Sequence, residues 1–243
     1  MRPVLFRWRG HQVSSYAALL YLGIVAGIAV GNVASRRNGL PGGRVYLAMI
    51  VLLPLALLGA RLAYVLGHPA EFRAQPGLMF RRSVGGQAML GGLVVVPISA
   101  PLMAALRVPF WSFWDVATFT MLTGMVFARV GCLLNGCCSG RPTTGRLGLV
   151  LPDVRGVRRR RIPMQLLEGV VALGLLVLAA VLNELQLVPG SVLLVILAAY
   201  GAIRIVLQGF RDDRSTEVRP SMQRLAAACM VVVALSSVSL RGL

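Results

Sequence analysis

Apolar residues in this chain run in long blocks separated by polar joints. The blocks fall at about 14–33, 46–66, 85–106, 112–131, 164–182, 189–208 and 222–240. Each is close to the roughly 20 apolar residues a helix needs to cross a bilayer core. A segment surrounded by hydrocarbon must satisfy its own backbone hydrogen bonds, which a helix does. The pattern therefore predicts an all-α polytopic transmembrane helical bundle of about seven spans. The second block contains Pro54, Gly59 and Arg61, and the third carries the pairs Gly85-Gly86 and Gly91-Gly92. In membrane helices such residues mark close packing or locally broken helix. No repeat and no linker interrupts the chain, so residues 1–243 are expected to form one membrane domain. The longest polar stretch, 132–163, is rich in Gly, Pro and Arg and is expected to be a small extramembrane loop subdomain on one face.

Composition sharpens this picture. Hydrophobic residues make up 57% of the chain and charged residues only 14%, with a mean hydropathy of +0.76. That is too little polar surface for a soluble domain of 243 residues. All 25 basic residues are Arg, against 8 acids, for a net charge of +17. An excess of this size points to a polyanion or an anionic lipid. Because most of the charges lie at the joints between apolar blocks, lipid phosphate is the expected partner and nucleic acid is not. The guanidinium fork suits phosphate by offering paired donors. Arg2, Arg7 and Arg9 precede an apolar run without a small-residue cleavage site, which reads as a first span rather than a cleaved leader. If the spans alternate, the N-terminus and the joints after spans two, four and six hold most of the arginines, and the positive-inside rule would put them in the cytoplasm. Arginines that build a binding site are not free topology signals, so charge alone leaves the orientation open.

Several residues could carry chemistry. Arg61, Arg129 and Arg204 lie within or at the ends of apolar blocks, where a cation is expensive unless it is paired or faces a polar cavity. Arg204 and Arg211 are two helical turns apart with Gln208 between them, and Tyr200 lies one turn before Arg204. These residues make a candidate phosphate-binding stripe. The segment from Arg129 to Thr143 gathers Gly131, Cys132, Asn135, Gly136, Cys137, Cys138, Gly140 and Arg141. Its thiols admit four readings: metal ligands, a redox pair, nucleophiles or small packing residues. The C-x4-C-C spacing lacks a nearby fourth ligand, since His11 and His68 are both distant in sequence, so no metal is expected. Cys229, in an apolar run, reads as packing. Pro163 is suited to starting a helix whose first turns carry Gln165 and Glu168 opposite a basic cluster, where Glu168 would orient an arginine. Asp115 either does likewise or caps a helix.

Taken in order, these segments resemble the bacterial prolipoprotein diacylglyceryl transferase family. The family signature Arg-x-Gly-Asn-Phe-x-Asn-x-Glu-x-x-Gly aligns with Arg129 to Gly140, keeping Arg129, Gly131, Asn135 and Gly140. Ser15-Tyr16-Ala17, Gly59-Ala-Arg61-Leu-Ala-Tyr64, Arg161-Ile-Pro163-Met-Gln165-Leu-Leu-Glu168, Tyr200-Gly-Ala-Ile-Arg204 through Arg211, and Gln223 are similar to further family motifs. The departures are specific. Leu90 precedes Gly91 and Gly92 where the family has His, Cys132 and Cys137 replace the signature's first Asn and its Glu, and Gln208 replaces a Glu.

The resemblance implies transfer of a diacylglyceryl group from phosphatidylglycerol, or another anionic glycerophospholipid, to a cysteine thiol of a prolipoprotein or a related acceptor. Glycerol phosphate would be released, and neither cofactor nor metal is implied. Arg129, Arg204, Asn135 and Tyr16 would be the catalytic residues. Arg61, Gly140, Arg211, Tyr200, Glu168, Gln165, Gln208, Gly91 and Gly92 would bind substrate. Apart from the resemblance, Cys132, Cys137 and Cys138 are candidates for a thiol role. The protein partner implied is a prolipoprotein signal peptide with its lipobox cysteine. The expected setting is the bacterial cytoplasmic (inner) membrane, multi-pass and monomeric, with the active face extracytoplasmic. The alternatives are a non-catalytic phospholipid-binding or transport-related membrane protein, and a diverged lipid transferase with a small-molecule acceptor.

Overall fold

The computed structural model describes residues 4–8, 11–67, 69–74, 77, 95–146, 148–152, 157–211, 227–228 and 231–232. A short antiparallel hairpin, β1 (Val4–Trp8) and β2 (His11–Ser14), leads into α1 (Ser15–Arg37). There follow α2 (Gly42–Gly67), α3 (Pro69–Ala74), α4 (Val95–Ile98), α5 (Ala100–Leu106) and α6 (Phe110–Asn135). A second hairpin, β3 (Leu149–Pro152) and β4 (Arg158–Arg161), precedes α7 (Met164–Glu184) and α8 (Ser191–Gln208). Among the described residues five helices are long and apolar enough to cross a membrane: α1, the Gly42–Leu62 part of α2, α6, α7 and α8. They match five of the seven predicted blocks. The described part of the third block forms α4 and α5, broken at Ser99, and most of the seventh block lies outside the described residues.

The polar stretch begins later than the residue pattern implied. Arg129 to Asn135 continue α6, and irregular backbone starts only at Gly136. Cys132 is thus helical, because the apolar pair Leu133-Leu134 sustains the helix for nearly another turn. Pro163 caps α7 rather than occupying its first helical position.

Helix α6 lies at the centre, touching α1, α5, α7 and α8. Phe113, Trp114, Val116, Ala117, Phe119 and Leu122 bury its sides. Its tightest partner is α1, which runs antiparallel to it. Gly23, Gly27 and Gly31 present a flat strip to α6, so close that a Cβ on Gly27 would stand 2.6 Å from the Thr120 carbonyl oxygen and one on Gly23 2.7 Å from Phe127 Cβ. Small residues at this spacing let backbones approach where dispersion, rather than water exclusion, holds helices together. The outward faces are apolar as well: Val170, Leu173, Val177 and Val181 form an exposed stripe on α7, as Leu47, Leu58 and Leu62 do on α2. Stripes of this kind on a chain with five membrane-length helices are lipid-facing surface, and the protein is a multi-pass membrane protein.

Polar side chains pin both ends of the bundle. At one end Asp115 of α6 accepts from the backbone N–H groups of Gly190 (2.5 Å) and Leu193 (2.8 Å), so it caps α8 rather than its own helix. Near the same end Arg37 meets Glu184 at 3.3 Å, and Asn38 donates to Asn183 at 2.9 Å. At the other end α1 and α7 begin while α6 and α8 finish. The candidate chemistry collects there.

Candidate functional site

Glu168 sits in the second turn of α7 and is 5% exposed. Three arginines converge on its carboxylate. Arg129 Nη1, from the end of α6, lies 2.8 Å from Oε2, while Arg204 Nη1 of α8 and Arg211 Nη1 just beyond it each lie 2.5 Å from Oε1. Their side chains are 12%, 13% and 7% exposed. Gly169 lies against the Arg129 stem, since a Cβ there would meet Arg129 Cβ at 3.5 Å, an ordinary contact. Three guanidinium charges against one carboxylate leave a local excess of two positive charges.

Such a cluster is costly to desolvate, and its geometry shows what else it accommodates. Nε of Arg129, Nε of Arg211 and both polar atoms of the Gln208 amide are buried and have no hydrogen-bond partner among the described residues. Gln208 is 1% exposed. Buried polar groups are nearly always satisfied, so several unsatisfied donors beside excess positive charge describe a cradle for an anion. Gln208 also supplies an acceptor, matching a ligand that carries both an anion and hydroxyls. Tyr200, on the same helix, is within electrostatic reach of Arg204, Arg129, Glu168 and Arg211.

The segment after α6 is laced into the site by backbone. Gly140 N–H donates to Ile162 O (3.0 Å), Ile162 N–H to Arg141 O (3.1 Å) and Arg141 N–H to Phe210 O (3.0 Å). Gly140 forms a β-bridge with Arg211, and Arg141 Nε donates to the Arg211 carbonyl at 2.9 Å. Gly140 is required by contact: a Cβ there would stand 2.7 Å from the Ile162 carbonyl oxygen. Gln165 Nε2 donates to the Cys137 carbonyl at 2.6 Å. Gln165 therefore serves as a strut, and its Oε1 has no partner among the described residues.

Tyr16 opens α1 beside this end of the bundle. Gly131 admits it, since a Cβ there would lie 3.2 Å from Tyr16 Cδ2. Tyr16 is within electrostatic reach of Cys132, Cys137, Cys138 and Arg129. Asn135 is the last helical residue of α6, and the three cysteine sulfurs gather beside it, all within 4.8 Å of one another. The thiols are free of disulfides. Hydrogen bonds from Cys132 and then Cys137 hold Cys138 well below the ordinary thiol range, with Arg129 and Arg211 acting in the same direction.

The structure thus brings together Arg129, Arg204, Arg211, Glu168, Gln208, Gln165, Tyr200, Tyr16, Asn135, Gly140 and the three cysteines. Arg61, near the end of α2, has its guanidinium 5.7 Å from the Phe72 ring centroid of α3. Gly91, Gly92 and Leu90 lie outside the described residues, as do Gln223 and Cys229. Glu168 departs most from its expected role. Instead of orienting one arginine it is the shared counter-ion of three. The sequence reading missed the glycine strip of α1, although its i, i+4, i+8 spacing is visible in the residues.

Known proteins are similar to this sequence over most of its length. A relative from Lactiplantibacillus plantarum, named phosphatidylglycerol–prolipoprotein diacylglyceryl transferase, is 29% identical over 252 residues, covering 99% of this chain and 88% of the relative. Proteins of the same name from Shouchella clausii (30% identical, 87% of this chain and 76% of the relative) and Leifsonia xyli (26%, 95% and 74%) are similar too. The family model described as prolipoprotein diacylglyceryl transferase matches residues 3–240, and with that match nearly end to end the chain belongs to this family.

Proposed function

We propose that this protein transfers a diacylglyceryl group from phosphatidylglycerol to a cysteine thiol of a prolipoprotein and releases glycerol phosphate. The observation that carries the reading is the buried cluster of Arg129, Arg204 and Arg211 on Glu168, in a chain whose relatives bear that name. A phosphodiester carries one negative charge. When its glycerol carbon is attacked, the departing phosphate gains a second, which the positively charged cluster attracts. The attraction grows as the bond breaks, so it stabilises the transition state more than the bound lipid. Glu168 keeps the guanidinium groups turned inward before lipid arrives. Tyr16, Tyr200, Gln208 and Asn135 stand around the cluster as positioning groups for glycerol hydroxyls and acceptor.

Phospholipid would enter sideways from the bilayer. An apolar cavity of about 220 Å³ between α1, α2 and α6, lined by Ile24, Met49, Leu52, Phe113 and Trp114, suits an acyl chain. The site end is read as the extracytoplasmic face of the bacterial cytoplasmic membrane, where a prolipoprotein cysteine emerges, and the protein as acting alone. Arg141 and Arg211 at this end are engaged within the structure and are not free topology signals.

The test is to incubate the purified full chain with labelled phosphatidylglycerol, with and without a lipobox-cysteine peptide. Peptide-dependent release of glycerol phosphate is expected. Tight lipid binding with no release would overturn the proposal and leave a phospholipid-binding protein.

A further inference from the structure

The three cysteines are held together by the way α6 ends. Gly136 takes a left-handed φ of 74°, its N–H reaches back to Leu133 O (3.3 Å), and Cys137 N–H returns to Cys132 O (3.1 Å). This Schellman turn folds Cys137 against Cys132, one turn earlier on the helix. Cys138 then adopts φ 59°, a region that residues other than glycine seldom enter. Strain of this kind persists where the surroundings enforce it, and it concentrates at functional sites. The outcome is three sulfurs within 4.8 Å of one another. Around a tetrahedral ion with bonds of about 2.3 Å, sulfurs stand roughly 3.8 Å apart, a distance reached here by small side-chain rotations.

We infer that Cys132, Cys137 and Cys138 form a site for a soft divalent metal ion of the zinc class, held by three thiolates, with its fourth position open to the acceptor thiol. Sulfur donors select such ions over hard cations. At the sequence level the missing fourth ligand weighed against a metal. In three dimensions it is the feature a reactive centre needs, because closed four-ligand sites are structural whereas three-ligand sites keep a position for a reactant. Charge agrees as well. One divalent ion with three thiolates carries a single negative charge, and Arg129 and Arg211 lie within electrostatic reach of Cys138.

The fourth-position assignment rests on the proposed thiol-alkylating function. On binding the metal the acceptor S–H loses its proton to water, since a coordinated thiol is deprotonated. A sulfur lone pair then forms the C–S bond to the glycerol carbon. The C–O bond to phosphate breaks, and its electron pair stays on the oxygen of glycerol phosphate. No atom changes oxidation state.

The test uses the reduced, metal-stripped full chain in lipid nanodiscs, titrated with Co²⁺ as a coloured probe and with Zn²⁺ for X-ray absorption. One equivalent is expected to bind with thiolate-to-cobalt charge-transfer bands and three sulfurs at about 2.3 Å. Cys132→Ser, Cys137→Ser and Cys138→Ser should each weaken binding by about tenfold or more, while Cys229→Ser should not. Circular dichroism identifies any variant that has lost its helices, and the wild-type spectrum decides the matter if all three have. No saturable binding, or fewer than three sulfurs, overturns the site. Addition of a lipobox-cysteine peptide should raise the count to four sulfurs, and the serine peptide should not; an unchanged count overturns the role of the fourth position. None of these readouts requires lipid turnover, so a failure of the proposed transferase reaction would register separately, as absent glycerol phosphate.

Discussion

At the scale of single residues the site turns on Glu168 and Gln208, which look alike in sequence and do opposite things. Glu168 holds three guanidinium groups that would otherwise repel one another at low dielectric. Replacing it with Gln removes the charge and keeps the shape. Breaking a buried pair by deleting one partner costs about 3–5 kcal/mol, so Glu168→Gln should lower the thermal midpoint in detergent markedly. A midpoint unchanged from wild type would show that the arginines have another counter-ion. Gln208 carries a buried amide with no partner among the described residues. A hydrogen bond made only with ligand contributes about 0.5–1.5 kcal/mol, so Gln208→Leu should weaken phosphatidylglycerol binding several-fold in a vesicle-binding assay. Its thermal midpoint should stay level or rise, because an unsatisfied amide has been removed. Arg204→Ala should depress turnover by about 100- to 1,000-fold, the usual effect of deleting one preorganised donor from a developing anion, as measured by glycerol phosphate release.

Among the elements, the pairing of α1 with α6 determines whether Tyr16 reaches the site. The Gly23–Gly27–Gly31 strip sets the distance between the two helices, and Gly131 receives Tyr16 at the site end of the same seam. A leucine at position 27 has no space, because even its Cβ would stand 2.6 Å from the Thr120 carbonyl oxygen, which is backbone and cannot turn aside. Gly27→Leu should therefore push the helices apart, lowering both stability and turnover although position 27 is remote from the arginines. Gly174→Ala on α7 meets nothing within 4 Å and is the matched control, expected to stay within about 1 kcal/mol of wild type. Equal behaviour of the two variants in thermal unfolding would remove the strip from the account. The cap on α8 belongs to this scale too. Glycine at its N-terminus offers no side chain, so Asp115 supplies the acceptor from another helix and ties α6 to α8 at the end opposite the arginines.

On the scale of the whole molecule the question is which face of the membrane the site occupies. A single cysteine introduced at exposed Thr144, with the native cysteines replaced by Ser, should react with a membrane-impermeant maleimide added to intact cells. Labelling only after the cytoplasmic face is opened would reverse the orientation proposed here. The positive-inside rule favours that reversed topology on charge alone, although Arg161 is buried and Arg211 is paired with Glu168, so these two are not free topology signals. Exposed Arg158, Arg159 and Arg160 stand on β4 opposite apolar β3, an arrangement suited to the headgroup layer on either side.

The sequence by itself determined that the chain lives in a membrane, because hydrocarbon tolerates only internally bonded backbone and the apolar blocks are the length of a bilayer. It also carried the family, since Arg129, Asn135, Gly140, Arg204 and Arg211 stand at motif spacing, and it singled out the three arginines that meet on Glu168. Periodicity could not show that α6 extends to Asn135, because a helix ends where its turn closes, here at Gly136. Only the tertiary structure decided that Glu168 is shared by three arginines, that Asp115 caps a helix other than its own, and that Arg61 of α2 lies over the Phe72 ring of α3. These are contacts between residues 36 to 78 positions apart in the chain, or positions along a helix that a linear reading treats alike. The three cysteines show the division most clearly. Their spacing left four readings open, and it took a left-handed turn after a helix to bring three sulfurs to one point.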